Sequence, residues 1–389
     1  MATNDSDTAA DRTARPVGFY VHDHGRGHRN RTGAILRAYE RLADRAADRS
    51  AVILSSGMDG LTWPSLASRT IELPSDTAGI AEPGRADAAA TPCFHYTPLY
   101  AEGIRSRVAA MTDWFASANP AALVVDVSAE VALLARLASV PTLVMRQHGD
   151  RRDLAHEAAY RSALRLLAPF PKSMEDDITP EWVRKKTTYA SAFCRFDPTA
   201  GPPDREQARQ SLGWVRPHVV VMSGKGGSGT DLAKVAEAAA ATPDCDWVVI
   251  GTVTEASVQE GLPPNVRVPG WIDDVLAHVA AADAVVSAGG HNSVMELGYA
   301  RARMVIIPEL RPFEEQVRKA AVLRRERLAV TRDAWPAASE WATVLDEARR
   351  LDPSRWDRVF DGDGAATLAK AIEKVAAQSD RIYDEAGQA

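Results

Sequence analysis

The chain has 389 residues, of which 46% are hydrophobic and 25% are charged, and its formal net charge at pH 7 is −6. This length can bury two cores of ordinary domain size, so we expect two domains. The negative charge argues against general nucleic-acid binding, because displacing counterions from phosphates requires a basic surface. The three cysteines are too few and too scattered for a disulfide framework or a zinc site, which indicates a reducing compartment.

Residues 1–15 are polar and charged, without an apolar stretch of signal-peptide length, and we expect them to be disordered. No later run approaches the ~20 apolar residues that span a bilayer. These features predict a cytoplasmic protein. The basic cluster Arg184-Lys185-Lys186 leaves a peripheral contact with the inner face of the cell membrane open, although solvated helix faces explain most such clusters.

The first half of the chain alternates strands and helices in the manner of a Rossmann-like domain. Its strands are predicted at residues 17–21, 51–54, 122–125 and 142–145. A helix from about Arg31 to Arg45 follows the first strand and its glycine-rich loop, and an amphipathic helix runs through residues 131–138. We assign residues 16–196 to this domain.

A change of composition then marks a linker. Residues 197–203 read Asp-Pro-Thr-Ala-Gly-Pro-Pro, which favours an irregular connection, and a short helix up to Leu212 follows. We place the linker at residues 197–216 and a second α/β domain at residues 217–364. The strands predicted in it are residues 218–222, 247–250, 266–268 and 284–286.

The most informative stretch follows the last of these strands. Residues 287–290 end the strand at two glycines, and Asn292-Ser293 suit the opening turn of a helix. Such a junction offers free N–H groups and a positive dipole end to an anion, usually a phosphate. Glu296 on that helix is placed to accept hydrogen bonds from a ribose diol, and Glu315-Gln316 follow another strand. One short segment can therefore hold a diphosphate, a ribose and sugar hydroxyls.

At this point the sequence resembles the glycosyltransferases of the two-domain GT-B fold. The likeness is to the branch with the bacterial peptidoglycan N-acetylglucosaminyltransferase of family 28 and, more distantly, to the UDP-glucuronosyltransferase and plant glycosyltransferase group. Their donor motif is Gly-Gly-His-x-Ser-x-x-Glu, followed by a proline and an acidic residue next to glutamine. The matching positions are Gly289, Gly290, His291, Ser293, Glu296, Pro308, Glu315 and Gln316. An ordinary strand-to-helix turn of an α/β protein is the alternative.

The resemblance implies an α/β fold of two Rossmann-like domains that face each other across a cleft. Residues 16–196 would bind the acceptor and residues 217–364 the nucleotide-sugar donor, and the helix within residues 365–389 would cross back to the first domain. The residues expected to bind the donor are Gly227, Ser228, Gly229, Arg195, Ile272, Gly290, His291, Asn292, Ser293, Glu296, Glu315 and Gln316.

A second glycine-rich loop, residues 223–230, also lies between a strand and a helix. Its sequence lacks the Gly-Lys-Ser/Thr ending of a P-loop, which argues against a nucleoside triphosphatase. Its backbone can approach a ligand closely, and Ser228 adds a hydroxyl. The loop resembles the Gly-Gly-Ser-x-Gly turn that contacts the donor diphosphate in the peptidoglycan enzyme. Close packing of helix and sheet is the alternative reason for its glycines.

Two further donor contacts follow from the resemblance. The family residue that matches Ile272 binds uracil through its backbone, and the aromatic Trp271 before it would wall the base, although simple packing of this tryptophan is the alternative. Arg195 stands where relatives have an arginine that faces the nucleotide. Its planar donors suit a diphosphate or a base carbonyl.

The loop after the first strand, residues 22–31, contains three histidines beside an aspartate. A metal site is one interpretation, but glycines separate these residues on one short loop and no second cluster completes a coordination sphere. Ligands of open α/β sheets bind at the carboxyl ends of strands, and relatives have a glycine-rich turn ending in histidine here. We assign Gly25, Gly27 and His148, which follows a later strand, to acceptor binding.

A sugar hydroxyl is a poor nucleophile, so its attack on an anomeric carbon is helped by a base, and a neutral imidazole titrates in the useful range. His28 is the first candidate for this base and His24 the second. Asp126, at the end of the strand over residues 122–125, would orient the histidine or act as the base itself. The alternative role for Asp126 is to cap the following helix.

Together these assignments predict a glycosyltransferase that moves a sugar from a UDP-sugar, such as UDP-N-acetylglucosamine, to an acceptor hydroxyl in one displacement. Fixed dipoles would stabilise the leaving diphosphate, so no cofactor and no metal is required, and inversion is implied by the resemblance alone. The acceptor is left open as lipid-linked, polymeric or small. Two alternatives remain: a nucleotide-sugar epimerase or hydrolase of the same fold, and a non-catalytic nucleotide-sugar-binding protein.

Overall fold

A computed structural model of the chain describes residues 14–23, 27–43, 45–46, 48–58, 62–78, 80, 91–196, 200–224, 227–254 and 261–387. Two parallel β-sheets, each covered by helices on both faces, form two α/β domains. The predicted fold of two Rossmann-like domains is thus confirmed. Among the helices of these residues, none combines the length and the apolar composition that crossing a bilayer requires.

The first domain is built from seven strands and their connecting helices. In chain order these are β1 (Val17–Val21), α1 (Gly27–Glu40), β2 (Ala51–Ser55), β3 (Ala67–Glu72), α2 (Glu102–Ala118), β4 (Ala122–Asp126), α3 (Ala129–Leu137), β5 (Thr142–Met145), α4 (Leu154–Ser162), β6 (Arg165–Ala168), α5 (Glu181–Lys186) and β7 (Thr187–Tyr189).

The second domain repeats this alternation with six strands. Its elements, with the last helix of the chain, are α6 (Arg205–Leu212), β8 (His218–Ser223), α7 (Leu232–Ala241), β9 (Asp246–Gly251), β10 (Val266–Gly270), α8 (Val275–Ala281), β11 (Ala284–Ser287), α9 (His291–Tyr299), β12 (Met304–Ile306), α10 (Glu315–Arg325), β13 (Ala329–Thr331), α11 (Trp341–Arg349) and α12 (Gly364–Gly387).

Both sheets have the doubly wound strand order. The first runs β3-β2-β1-β4-β5-β6-β7 and the second β10-β9-β8-β11-β12-β13, with every neighbouring pair parallel. The order reverses between β1 and β4 in one sheet and between β8 and β11 in the other. Ligands of such sheets bind at the carboxyl ends of the strands beside this reversal.

The central strands are apolar runs because helices bury both of their faces. All residues of β1, β2, β4 and β5 are buried. The edge strand β3 has the polar sequence Ala-Ser-Arg-Thr-Ile-Glu and is largely exposed, so its pattern did not predict a strand. The short strands β6 and β7 were also missed.

The start of α1 and the capping residue of α3 differ from the prediction. The first helix begins at Gly27 instead of Arg31 and ends at Glu40, so His28 lies in its first turn and not in the preceding loop. The helix α3 is capped by Ser128, whose hydroxyl accepts the N–H of Val131 at 3.2 Å. The capping role considered for Asp126 is therefore wrong.

The last helix, α12, packs against the first domain. Leu368 and Ile372 are fully buried in the core under the first sheet. Glu373 on the same face accepts hydrogen bonds from Tyr39 and from the buried Arg49, whose Nε lies 2.9 Å from Oε2. A charge buried with its counter-charge is costly to separate, so this ion pair holds α12 on the first domain. The helix α6 instead packs on α8 of the second domain.

Candidate functional site

The carboxyl ends of the two sheets border one cleft of about 740 Å³. Its walls are the segments after β1, β4 and β5 in the first domain and those after β8, β11 and β12 in the second. Both reversals of strand order therefore open onto it. The predicted site residues that line the cleft are Gly27, His28, Arg195, Gly227, Gly290, His291, Asn292, Ser293, Glu296, Glu315 and Gln316.

Two helix N-termini meet at the floor of the cleft. Helix α1 begins at Gly27 in the first domain and α9 at His291 in the second. A Cβ on Gly27 would lie 2.2 Å from Asn292 Nδ2, so a larger residue at this position would require the Asn292 side chain to move. None of the side chains in the described segments caps α9, so its first N–H groups point into the cleft without a side-chain partner from these segments. Two positive dipole ends in one cleft favour an anion.

His28 is held in a buried charge network on the first-domain wall. Its Nδ1 lies 3.2 Å from Asp126 Oδ1 and 3.0 Å from Arg31 Nη2. Arg31 also donates to both oxygens of Asp126, at 2.5 and 3.2 Å. Burial alone would raise the pKa of Asp126, but the adjacent Arg31 and His28 outweigh it and hold this pKa well below its usual range. Asp126 is therefore ionised at neutral pH and next to the imidazole, as a base-orienting group must be.

The loop after β8 borders the cleft at Gly224 and Gly227, and Ser228 follows directly. The N–H and the hydroxyl of Ser228 both donate to Glu309 Oε1, at 3.0 and 2.8 Å. Gly229 has φ +88°, which an L side chain rarely adopts, and next to it Thr230 pairs with Val253. The predicted turn thus donates two hydrogen bonds to a carboxylate oxygen of the protein itself. Glu309 was not predicted, because nothing in the sequence separates it from other acidic residues of the segment.

The expected ribose ligand and the expected nucleotide-facing arginine contact each other. Arg195 donates from Nε and Nη2 to the two oxygens of Glu296, at 3.0 and 3.3 Å. Burial raises the pKa of Glu296, and Arg195 opposes that rise. A planar guanidinium that binds both oxygens fixes the carboxylate plane. Arg195 therefore positions Glu296 at the edge of the cleft.

Glu315 and Gln316, the acidic-glutamine pair of the predicted donor motif, begin α10 and line the cleft. Gln316 is buried, and its Oε1 accepts the N–H of Glu309 at 2.8 Å. Glu315 Oε2 lies 3.6 Å from Arg151 Nη2 of the first domain. One member of the pair thus shapes the loop before it, while the other presents its carboxylate between the domains.

Comparison with known proteins agrees with this geometry. Residues 251–331 match the family described as Glycosyltransferase family 28 C-terminal domain. The UDP-N-acetylglucosamine–N-acetylmuramyl-(pentapeptide) pyrophosphoryl-undecaprenol N-acetylglucosamine transferase of Bacteroides fragilis is 25% identical over 266 residues, which are 63% of this chain and 68% of that enzyme. The chain has the GT-B fold, and part of its second domain is similar to family 28 glycosyltransferases.

Two other similarities concern larger parts of the chain than residues 251–331. An uncharacterized glycosyltransferase of Methanosarcina acetivorans is 29% identical over 185 residues, or 45% of this chain, and the match spans about half of that relative, 48%. A solved structure of a UDP-glucosyltransferase from Polygonum tinctorium has a TM-score of 0.65 at 14% identity and covers 94% of this chain and 99% of its own. At that identity the structural similarity establishes the fold alone.

Phe313 connects the two domains beside the cleft. Its ring packs on His95 and His156 of the first domain, with centroids 4.9 and 4.7 Å apart, and the Arg151 guanidinium lies 5.1 Å from the ring centre. Its carbonyl oxygen accepts the N–H of Asp150 at 2.6 Å. Because Phe313 precedes Glu315 by two residues, this contact links the first domain to the acidic-glutamine pair.

His95, Asp153 and His156 form the group of metal-ligating residue types found in the described part of the chain, with ligand atoms within 4.8 Å of one another. Arg151 can only donate, and its Nη1 lies 2.9 Å from His156 Nε2, so the imidazole proton is on Nδ1 and is donated to Asp153 at 2.5 Å. The second oxygen of Asp153 binds His95 Nε2 at 2.8 Å. Both ring nitrogens of His156, both oxygens of Asp153 and Nε2 of His95 therefore already have hydrogen-bond partners within the protein. Sequence reasoning missed this group, since its members lie on two distant segments.

His148 differs from its predicted place on the acceptor side. The ring is buried against Phe170, and Nε2 binds the carbonyl oxygen of Met174 at 2.8 Å. Burial lowers the pKa of His148 to about 3. The imidazole is therefore neutral, and His148 is not among the residues that line the cleft.

The other predicted residues divide between the cleft and its surroundings. His24 and Gly25 lie outside the described residues. Ile272 packs toward the core of the second domain, whereas the exposed Trp271 lines the cleft. The Trp271 side chain is therefore not part of the domain core, and its role as a wall for the base stays a prediction.

A second cavity of about 820 Å³ lies behind Arg195, between the last turn of α1 and the start of α12. It is slightly larger than the cleft, but the strand-end segment that borders it follows the edge strand β7, away from both reversals of strand order. The dipole of α1 presents its negative end there, next to Arg37 and Arg41. We therefore place the active site in the cleft, where helix N-termini and strand ends meet.

Proposed function

We propose that this protein transfers a sugar from a UDP-sugar, such as UDP-N-acetylglucosamine, to an acceptor hydroxyl, by an inverting displacement that requires no metal. The observation that carries the proposal is the meeting of two donor-rich turns with the His28–Asp126 pair in one cleft. The B. fragilis relative is by its name an N-acetylglucosamine transferase that uses a UDP-sugar, which supports the choice of donor.

In this mechanism the second domain binds the donor. The diphosphate lies between the Ser228 turn and the N-terminus of α9, whose N–H groups are directed by the backbone before the reaction starts. Such fixed dipoles stabilise the charge that develops on the leaving diphosphate without reorganisation. Glu296 accepts hydrogen bonds from the ribose, Trp271 walls the uracil, and Glu315 and Gln316 contact the sugar.

The first domain supplies the base. Two groups face Nδ1 of His28: Arg31 Nη2 at 3.0 Å and Asp126 Oδ1 at 3.2 Å. Because Arg31 Nη2 already donates to Asp126, we assign the Nδ1 proton to the hydrogen bond with Asp126, which leaves Nε2 as the basic nitrogen toward the acceptor hydroxyl. The proton moves to Nε2 as the hydroxyl oxygen attacks the anomeric carbon, and Asp126 stabilises the imidazolium that forms. Asp126 itself is a poor base, because its pKa lies well below its usual range. The base role therefore falls to His28, and closure of the cleft excludes water.

A thermal-shift screen against UDP-, dTDP- and GDP-sugars tests the donor site. A ligand at 100 times its Kd adds about 2.7 kcal/mol to the unfolding free energy. We expect the largest shift with a UDP-sugar and no shift in Glu296→Ala. Glu314→Ala is the control, since this carboxylate lies on the solvent side and pairs with Arg318. An unchanged shift in Glu296→Ala removes the ribose assignment.

Transfer assays test the base. His28→Ala should keep the donor-induced shift and lose at least about 100-fold in kcat, the usual contribution of a general base. His278→Ala on α8, which does not line the cleft, should transfer at the wild-type rate. Conversion of donor without any acceptor would instead favour an epimerase or hydrolase. Intact donor binding without turnover in the wild-type protein would favour a non-catalytic binder.

Peripheral membrane contact is a separate hypothesis. Arg184 and Lys186 of the basic cluster donate to backbone carbonyls, so these cations already have partners. Lys185 is largely exposed and pairs with Glu181 on the surface. Co-sedimentation with anionic vesicles, compared between the wild-type protein and Lys185→Glu, tests this contact.

A further inference from the structure

One anionic side chain occupies the position that the proposed function gives to the donor phosphate. Glu309 follows β12, and its Oε1 accepts both the N–H and the hydroxyl of Ser228, at 3.0 and 2.8 Å. A Cβ on Gly227 would lie 3.2 Å from the same oxygen. The carboxylate thus lies against the turn at the distance at which a phosphate oxygen would bind.

The backbone of Glu309 is fixed, but its carboxylate is not enclosed. The N–H donates to the buried Gln316 at 2.8 Å, so the main chain at this point is held by the second domain. The side chain is 22% exposed, and its other oxygen pairs with Arg311 Nη2 at 2.7 Å. A rotation of the side chain toward solvent can therefore release Ser228 without moving the backbone.

Charge makes joint occupancy unfavourable. A carboxylate and a phosphate a few ångströms apart repel each other strongly, because the effective dielectric near a protein surface, about 20, is well below that of water. Ser228 has one N–H and one hydroxyl donor here, and these two donors cannot each form a full hydrogen bond with both anions. Binding of a diphosphate at this turn must therefore displace the carboxylate of Glu309.

We propose that Glu309 competes internally with the donor diphosphate for Ser228 and so sets the affinity of this glycosyltransferase for nucleotides. The inference rests on the proposed function, because it takes the Ser228 turn as the phosphate site. In the absence of a donor, Glu309 satisfies the turn and balances its positive potential. When the diphosphate binds, the carboxylate turns away from Ser228.

Isothermal titration of the full chain with UDP, uridine and inorganic pyrophosphate tests the competition. Glu309→Gln and Glu309→Ala remove the negative charge, and we expect both to bind UDP and pyrophosphate roughly five- to tenfold more tightly than the wild-type protein, the equivalent of about one charge-assisted hydrogen bond. Uridine carries no phosphate, so its Kd should not change. Glu314→Gln, from the same loop but paired with Arg318 in solvent, should bind all three probes like the wild-type protein.

The outcomes separate this inference from the proposed function. If the wild-type protein binds UDP and neither Glu309 variant binds it more tightly, or either binds it more weakly, the competition is refuted while the phosphate site stands. If uridine gains as much as UDP, the effect does not arise at the phosphate and the inference fails. If neither the wild-type protein nor the variants bind UDP or pyrophosphate, the proposed function itself is wrong. Melting curves without ligand verify that each variant is folded.

Discussion

Replacing Lys319 by methionine is expected to stabilise the protein at neutral pH. Lys319 lies fully buried on α10, and Nζ has no hydrogen-bond partner within the described ranges of the chain. Burial lowers the pKa of this ammonium from 10.5 to about 8, although the nearby Glu315 acts in the opposite direction. Removing a cation from water without hydrogen bonds is costly, whereas methionine fills a similar volume with apolar atoms.

The magnitude follows from the two pKa values. One pKa unit corresponds to about 1.4 kcal/mol, so a charged Lys319 costs about 3 kcal/mol of unfolding free energy at pH 7. Between pH 8 and pH 10.5 the unfolded chain holds the proton that the folded protein has lost, so the wild-type protein gains stability as the pH rises through this window. The advantage of the variant should therefore fall to about 1 kcal/mol at pH 9.5.

Urea unfolding at pH 7.0 and pH 9.5, followed by tryptophan fluorescence, measures this difference. The buried pair Trp247 and Trp341 lies in the same domain as Lys319 and reports on its unfolding. Lys185→Met is the control, since this lysine is largely exposed, and its stability change should stay within about 0.5 kcal/mol at both pH values. A Lys319→Met variant that is no more stable at pH 7.0, or whose advantage does not shrink at pH 9.5, would contradict the reasoning.

Three further predictions concern the charge network, the domain contact and the thiols. Asp126→Asn leaves the buried Arg31 without its counter-charge and should cost about 3–5 kcal/mol of unfolding free energy in urea; a loss under about 1 kcal/mol would speak against a buried ion pair. Gly149→Ala places a Cβ 2.6 Å from the carbonyl oxygen of Phe313, at a residue whose φ is +119°. The domain contact should therefore shift, and kcat/KM should drop at least about tenfold in the transfer assay. An unchanged kcat/KM would show that the contact is dispensable. Cys93 is exposed, while burial raises the pKa of the other two thiols of the chain, so a disulfide reagent at pH 8 should label one cysteine quickly and two slowly; equal rates would contradict the described burial.

The donor side could be predicted because its residues are close in sequence. Gly290, Glu296 and Gln316 belong to one strand-helix-strand-helix segment, and the spacing within such a segment follows from the geometry of its elements. The contact between Arg195 and Glu296 joins residues 101 positions apart, and only the resemblance to a family brought the two into one site. The sequence therefore predicted both residues but not the ion pair between them.

The first-domain side was predicted less completely. His28 and Asp126 were assigned together from the ends of β1 and β4, which are neighbours in a doubly wound sheet. Arg31 was placed at the start of a helix without a role, because only the folded chain shows that its guanidinium is buried against Asp126. His148 follows a strand end like Asp126 does, yet its ring turns inward to Phe170, and no periodicity reveals that direction.

The amino-acid sequence by itself determined that this chain forms two doubly wound α/β domains and that its donor motif lies at a strand-to-helix turn, because these features depend on periodicity and on neighbours along the chain. The tertiary structure alone decided which side chains meet across 80 or more residues: Glu309 on Ser228, and Asp126 on Arg31. Such contacts depend on how the two sheets are placed and how side chains turn at their edges, and local sequence carries no measure of either.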